Sequence, residues 1–246
     1  VRFLSCPTHN ANGNYDSPQR RQNYANLGAM SEMIMSVAEV RAAEQATMRT
    51  VPEPVLMARA ADAIAGECDS ILTSTRGRVA GSRVVVLVGP GKNGGDGLLA
   101  GARLASRGAT VVAILTTDAA DAAPLQECEE AGATTIEASH HPHEALHAVA
   151  RAELVIDAIA GIGSTPGLRR PADALVAAIA SSATIVSVDV PSGLGADSAN
   201  ADSSHVHADV TVTFTALKAC LAGEPARASA GRIVIAQVGI PLPKPL

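Results

Sequence analysis

VVVLVGPGKNGGDG, residues 84–97, joins a β-branched apolar run to a glycine-rich turn and then to the start of a helical pattern. Gly89, Gly91 and Gly94 satisfy G-x-G-x-x-G, and the match gains weight from its place between a strand and a helix. Backbone amides at a helix N-terminus can bind an anion, and glycines let that anion approach closely. No Gly-Lys-Ser/Thr follows, so the turn is not a Walker A loop. It also departs from an ordinary dinucleotide loop, because Asp96 lies inside it and a carboxylate there repels a pyrophosphate. Asp96 can instead accept hydroxyl hydrogen bonds, help hold a cation, or cap the helix.

Working outward, apolar runs recur at 111–115, 154–158, 185–190, 209–214 and 232–238, with a weaker one near 134–138. They are apolar on both sides of the pleat, as strands buried on both faces must be. Helical segments separate the earlier ones, near 95–107, 120–131, 142–151 and 170–181. This alternation predicts an α/β fold with a mostly parallel sheet covered on both faces. Upstream, Ser36-x-x-Glu39 forms a capping box opening a helix to about Met48. A second helix is expected over 53–72, with Leu56, Ala60, Ala63, Ile64 and Ile71 on one face.

In such a sheet, ligands bind where loops leave the carboxyl ends of the strands. Two further strand ends carry acids. LVIDAIAGIGSTPG delivers Asp157, which is either paired with something or bonded to nearby loop amides. IVSVDVPSGLGAD delivers Asp189 and then the tight turn Pro191-Ser192-Gly193. G-x-S-x-G fails around Ser192, so it is no nucleophile-elbow serine; its hydroxyl coordinates a cation or closes a local turn. With Asn93, these groups form an oxygen-donor set suited to a hard cation rather than zinc. Two acids also allow proton transfer, provided one has a raised pKa. His143-Glu144-Ala145-Leu146-His147 matches H-E-x-x-H, but it lies away from the strand ends without a third ligand and reads as a solvated helix face.

Composition narrows the field. The chain of 246 residues carries a net charge of −5, is 47% apolar and 17% charged, and has only 2% aromatics. Phe3, Tyr15 and Tyr24 lie near the start, leaving Phe214 as the single aromatic beyond. Base-stacking platforms and aromatic cages are therefore excluded, and the acidic balance argues against phosphate-backbone binding. Cys6, Cys68, Cys128 and Cys220 are scattered without metal-ligand spacing, which predicts reduced thiols. No apolar run approaches a membrane span and no secretory signal is evident, so a cytoplasmic location is expected. Residues 1–34, rich in Asn, Gln and Arg, read as a disordered extension; 35–242 form one domain, and 243–246 a tail or truncated linker.

GPGKNGGDG (89–97), DAIAGIG (157–163), VDVPSGLGAD (188–197) and TVTFTALK (211–218), in this order, resemble the NAD(P)H-hydrate epimerase family, the YjeF N-terminal domain. The resemblance implies a Rossmann-like three-layer αβα sandwich. It also implies an isomerase of nicotinamide-cofactor repair that interconverts the R and S forms of NADHX and NADPHX, linked in function to an NAD(P)H-hydrate dehydratase. Carried over by motif, substrate would meet Lys92, Asn93, Gly94, Gly95 and Asp96. A second turn, Gly161, Ile162, Gly163, Ser164, Thr165, Pro166 and Gly167, would follow, with Asp189 at the reacting ring. Asn93, Asp157 and Ser192 would hold a potassium ion. The chain departs from the family pattern at Lys92, where a second Asn is usual, in the Ser164-Thr165-Pro166 stretch, and at Ala219-Cys220 after Lys218. The expected mechanism is acid-assisted loss and return of water at the hydrated ring carbon, with Asp189 first protonating the hydroxyl and then deprotonating water. A homodimer is one assembly open to such a domain. The rival readings are a non-catalytic scaffold on the same fold, an NAD-dependent dehydrogenase using Asp118, and a piece of a fused epimerase–dehydratase.

Overall fold

The computed structural model describes the backbone of residues 2–4 and all of residues 33–241. The expected tail at 243–246 lies outside them, as does most of the expected disordered extension. Within that extension, Arg2–Leu4 forms a short edge strand, β1. The remaining elements are α1 (Val37–Thr47), α2 (Glu53–Arg76), β2 (Arg83–Val88), α3 (Gly91–Ser106), β3 (Thr110–Leu115), α4 (Ala122–Glu130), β4 (Thr134–Glu137) and α5 (Pro142–Ala150). They continue with β5 (Leu154–Ala158), α6 (Ala172–Ala177), β6 (Thr184–Val188), β7 (Val210–Phe214), α7 (Ala219–Ala222), a 3-10 turn at Ala226–Ser229 and β8 (Arg232–Ala236).

The strands form one sheet in the order β1-β8-β7-β6-β5-β2-β3-β4, and every pair among them is parallel. Side chains alternate across it. Val84, Val86 and Val88 face a core shared with α2, α3 and α4, through Ile64, Leu98, Leu104 and Cys128. Val85 and Leu87 face the opposite core, with Ala145 and Val149 of α5 and Leu175 of α6. β2, buried on both sides, is apolar at every position from Val84 to Val88, whereas β7 buries Thr211 and Thr213 with their hydroxyls hydrogen-bonded. The result is the three-layer αβα sandwich.

The chain winds from β2 outward through β3 and β4, then returns to β5 and builds the other half through β6, β7 and β8. The direction reverses between β2 and β5. Loops leaving these two neighbours diverge to opposite faces and open a crevice, the usual ligand site of such sheets.

Candidate active site

The glycine-rich turn after β2 and the turn after β5 meet at that crevice. The Gly89 amide donates to the Ala158 carbonyl at 3.0 Å. A Cβ on Gly89 would collide with the Ile159 carbonyl, and one on Gly94 with the carbonyl of Gly89. Glycine is therefore required by backbone approach at both positions. The structure corrects the expected loop at 92–96, because α3 already begins at Gly91. Absence of side chains at Gly94 and Gly95 lets the helix start pack into the crevice, so both are buried. Asp96 consequently sits inside the helix rather than capping it; Pro90 occupies the N-cap without a side-chain bond.

Asp189 follows β6 with φ +67, and the Val190 amide donates back to the Val188 carbonyl at 2.9 Å, which closes a three-residue turn. Thr215 repeats this after β7, with φ +67 and Ala216 N–H donating to the Phe214 carbonyl at 2.7 Å. Left-handed backbone at non-glycine residues costs of order 1–3 kcal/mol each and persists where surroundings impose it. Lys218 binds both turns. Its Nζ donates to Asp189 Oδ1 at 2.6 Å, Thr213 Oγ1 at 2.8 Å and the Phe214 carbonyl at 3.0 Å. Its side chain is 1% exposed, so the ammonium is fully desolvated and all three of its donors are used. Thr213 Oγ1 also donates to Asp189 Oδ1, at 3.1 Å.

Asp157 is fully buried, and burial pushes its carboxyl above the ordinary aspartate range. Register places Ser187 of β6 beside it, and the Ser187 hydroxyl donates to Oδ2 at 2.7 Å. The Ser192 amide donates to the same oxygen at 2.9 Å, whereas Oδ1 receives only a 3.4 Å bond from the Ile159 amide. The Ser192 hydroxyl accepts from the Ala160 amide at 2.9 Å. Asn93 lies over this turn, its Oδ1 3.1 Å from where a Gly161 Cβ would stand, and its buried Nδ2 has no partner.

A cavity of about 710 Å³ opens over these strand ends. Lys92, Asn93, Asp96, Gly161, Ile162, Gly163, Ser164 and Asp189 line it. Of the other residues carried over by motif, Gly94 and Gly95 are buried behind it. Thr165 and Gly167 do not border it, and Pro166 lines a separate small cleft of about 200 Å³. Asp96 has one carboxyl oxygen, Oδ1, that is buried without a partner. Desolvation raises its pKa well above the usual aspartate value; the Asp189 and Glu44 charges add to the effect and Lys92 opposes it. Lys92 itself pairs with Glu53 at 2.8 Å at the exposed rim. Leu56, Ala60, Val238 and Ile240 supply an apolar wall, and Phe214 borders the same space.

The YjeF-related protein N-terminus family model matches residues 53–220, more than half of the chain. This chain belongs to that family. The YjeF-related chain is 39% identical to an NAD(P)H-hydrate epimerase of Clavibacter sepedonicus over 217 residues, covering 84% of this chain and 90% of that protein. It is 36% identical to a bifunctional NAD(P)H-hydrate repair enzyme of Mycobacterium tuberculosis over 84% of its own length, but spans only 41% of that relative. A yeast crystal structure shares the fold with a TM-score of 0.68 at 22% identity, over 77% of this chain and 83% of that one.

Sequence reasoning missed Arg41 and Glu44, which α1 of this YjeF-related domain brings to the cavity. The capping box is formed as expected, but a cap does not say which way a helix faces. Tertiary bonds decide that: Val37 N–H donates to Asp197 Oδ1 at 2.8 Å, and Met35 N–H to the Leu217 carbonyl at 2.9 Å. The pairing of Lys218 with Asp189 was equally hidden, since 29 residues separate them. His143 and His147 lie exposed on α5 and do not line the cavity.

Proposed function

We propose that this chain is an isomerase of nicotinamide-cofactor repair, an NAD(P)H-hydrate epimerase that interconverts the R and S forms of NADHX and NADPHX. The observation that carries this reading is Asp189, set in a strained turn by Lys218 at the floor of a cavity over the sheet's switch point. The names borne by its relatives support the same reading. An acid at the hydrated ring carbon can transfer the proton that loss and return of water requires, while the ring nitrogen lone pair stabilises the cationic intermediate. The first glycine-rich turn lines the cavity with Pro90, Gly91, Lys92, Asn93 and Asp96.

Asn93, Asp157 and Ser192 are the residues that would hold a potassium ion. The donor set fits: Asp157 Oδ1 is under-bonded, and the Ser192 hydroxyl keeps a free lone pair. The orphaned Asn93 amide is consistent with this. Its O and N have nearly the same shape, and exchanging them turns a buried donor without an acceptor into an acceptor that a cation could satisfy. The ion would supply positive charge beside a desolvated carboxylate and tie the β5 and β6 turns to α3. Substrate would come from cofactor damage in the cytoplasm, and the product would pass to an NAD(P)H-hydrate dehydratase; the Mycobacterium tuberculosis relative is named a bifunctional NAD(P)H-hydrate repair enzyme.

The test is an epimerase assay on NADHX with and without potassium, following R-to-S interconversion by chiral separation. Asp189→Asn should lower the catalysed rate by about 10²–10⁴-fold, the usual contribution of a positioned acid or base. Undiminished catalysis by that variant would overturn the assignment of Asp189.

A further inference from the structure

Two of the carboxyls lining the cavity stand in opposite circumstances. Asp189 is bonded to a buried ammonium and a threonine hydroxyl. Asp96 is 9% exposed, lines the same cavity, and leaves Oδ1 without any donor. A carboxylate in such a place must be compensated or must carry a proton. We infer that Asp96 is the catalytic acid, donating its proton to the departing hydroxyl, and that Asp189 is the base that receives a proton from the incoming water. This divides between two residues what was expected of Asp189 alone. It rests on the epimerase reading.

The step balances. The Asp96 O–H bond breaks as its proton passes to the hydroxyl on the hydrated ring carbon. The carbon–oxygen bond then breaks, its electron pair leaving with water, while the ring nitrogen lone pair forms a carbon–nitrogen double bond. Water adds to the other face of that carbon, its electron pair forming the new carbon–oxygen bond as the nitrogen recovers its lone pair. The surplus proton goes to Asp189. Proton exchange with solvent resets the pair. The assignment follows from their partners: Asp189 faces an ammonium and a hydroxyl donor, whereas Asp96 Oδ1 faces none.

The groups around Asp96 bear on its charge from each neighbouring element. Arg41 and Glu44 come from α1, Glu53 from α2, Lys92 from its own helix, and Asp189 with its partner Lys218 from the strand ends. Lys92 is committed to Glu53 at the rim. Burial and the acids therefore outweigh the cations, in keeping with the upward displacement of the Asp96 carboxyl.

The test compares wild-type protein, Asp96→Asn and Asp96→Glu on NADHX over a pH series, alongside an NMR titration of carboxyl carbons in protein labelled at aspartate. Asp96→Asn should lose about 10²–10⁴-fold in kcat with KM changed little, as expected for a lost general acid. It should also lose the alkaline fall of the wild-type profile, and Asp96→Glu should restore part of the rate. The wild-type NMR titration should show a carboxyl that stays protonated above the usual aspartate range and that is missing from Asp96→Asn. An active wild type with Asp96→Asn within about threefold of it overturns this inference and leaves the epimerase reading standing. A wild type with no catalysed interconversion overturns the reading and the inference together. Absence of a high-titrating carboxyl in the wild-type NMR series overturns the inference even if a variant fails to fold.

Discussion

Asp96 shows most sharply how a single residue is set by its surroundings. Its folded-state pKa is raised, chiefly by desolvation, so between the unfolded and folded values the native state binds more protons than the unfolded chain. Stability from this group is present in full below the unfolded value near pH 4 and is lost as pH rises toward the folded one, by about 1.4 kcal/mol per pH unit. Asp96→Asn carries no such loss. The variant should match wild type in urea denaturation at about pH 4 and exceed it increasingly toward neutrality. A constant difference across that range would mean that Asp96 is not desolvated. The sequence announced Asp96 as an anomaly in a glycine-rich turn, but gave no sign of whether it capped the helix, held a cation or carried a proton. That depended on how deeply α3 is inserted between α2 and the sheet.

At the scale of elements, α1 and the β2–α3 junction make contrasting demands. The α1 box is reciprocal: Glu39 N–H donates to Ser36 Oγ at 3.3 Å, and the Ser36 amide donates to Glu39 Oε2 at 2.8 Å. Ser36→Ala should cost about 1 kcal/mol of stability, read as a lowered thermal midpoint. Because α1 carries Arg41 and Glu44 to the cavity, the same variant should raise KM more than it lowers kcat. At the junction, the backbone of the β2 turn touches that of the β5 turn. Gly89→Ala introduces a methyl group against the Ile159 carbonyl and should cost at least 1–3 kcal/mol, roughly the penalty of overpacking, in denaturant melts. Both elements were readable beforehand, the helix from its capping box and the turn from its glycines. Their boundaries moved only slightly; α3 starts at Gly91 rather than near 95 because the glycines that suggested a loop are what let a helix begin in so confined a place.

For the molecule as a whole, the decisive feature is the reversal of winding between β2 and β5, which gathers residues from 93, 157, 189 and 218 at one edge. If potassium bridges these turns, adding potassium chloride in place of choline chloride should raise the thermal midpoint, since a ligand of the native state stabilises it in proportion to RT ln(1 + [L]/Kd). Asp157→Asn should abolish that increment, and an equal rise in both proteins would remove potassium from the site. The sequence by itself determined the α/β class, the alternation of strands and helices from β2 to β6, the acids at the strand ends and the resemblance to the epimerase family. These are local properties: a run apolar at every position, a glycine where backbones must touch, an acid closing a strand. Only the tertiary structure decided that Lys218 neutralises Asp189, that α1 roofs the cavity, and that Asp96 stands desolvated while Lys92 is drawn off by Glu53. Charge and burial at a point in space depend on every chain segment that packs there, and no stretch of sequence carries that sum.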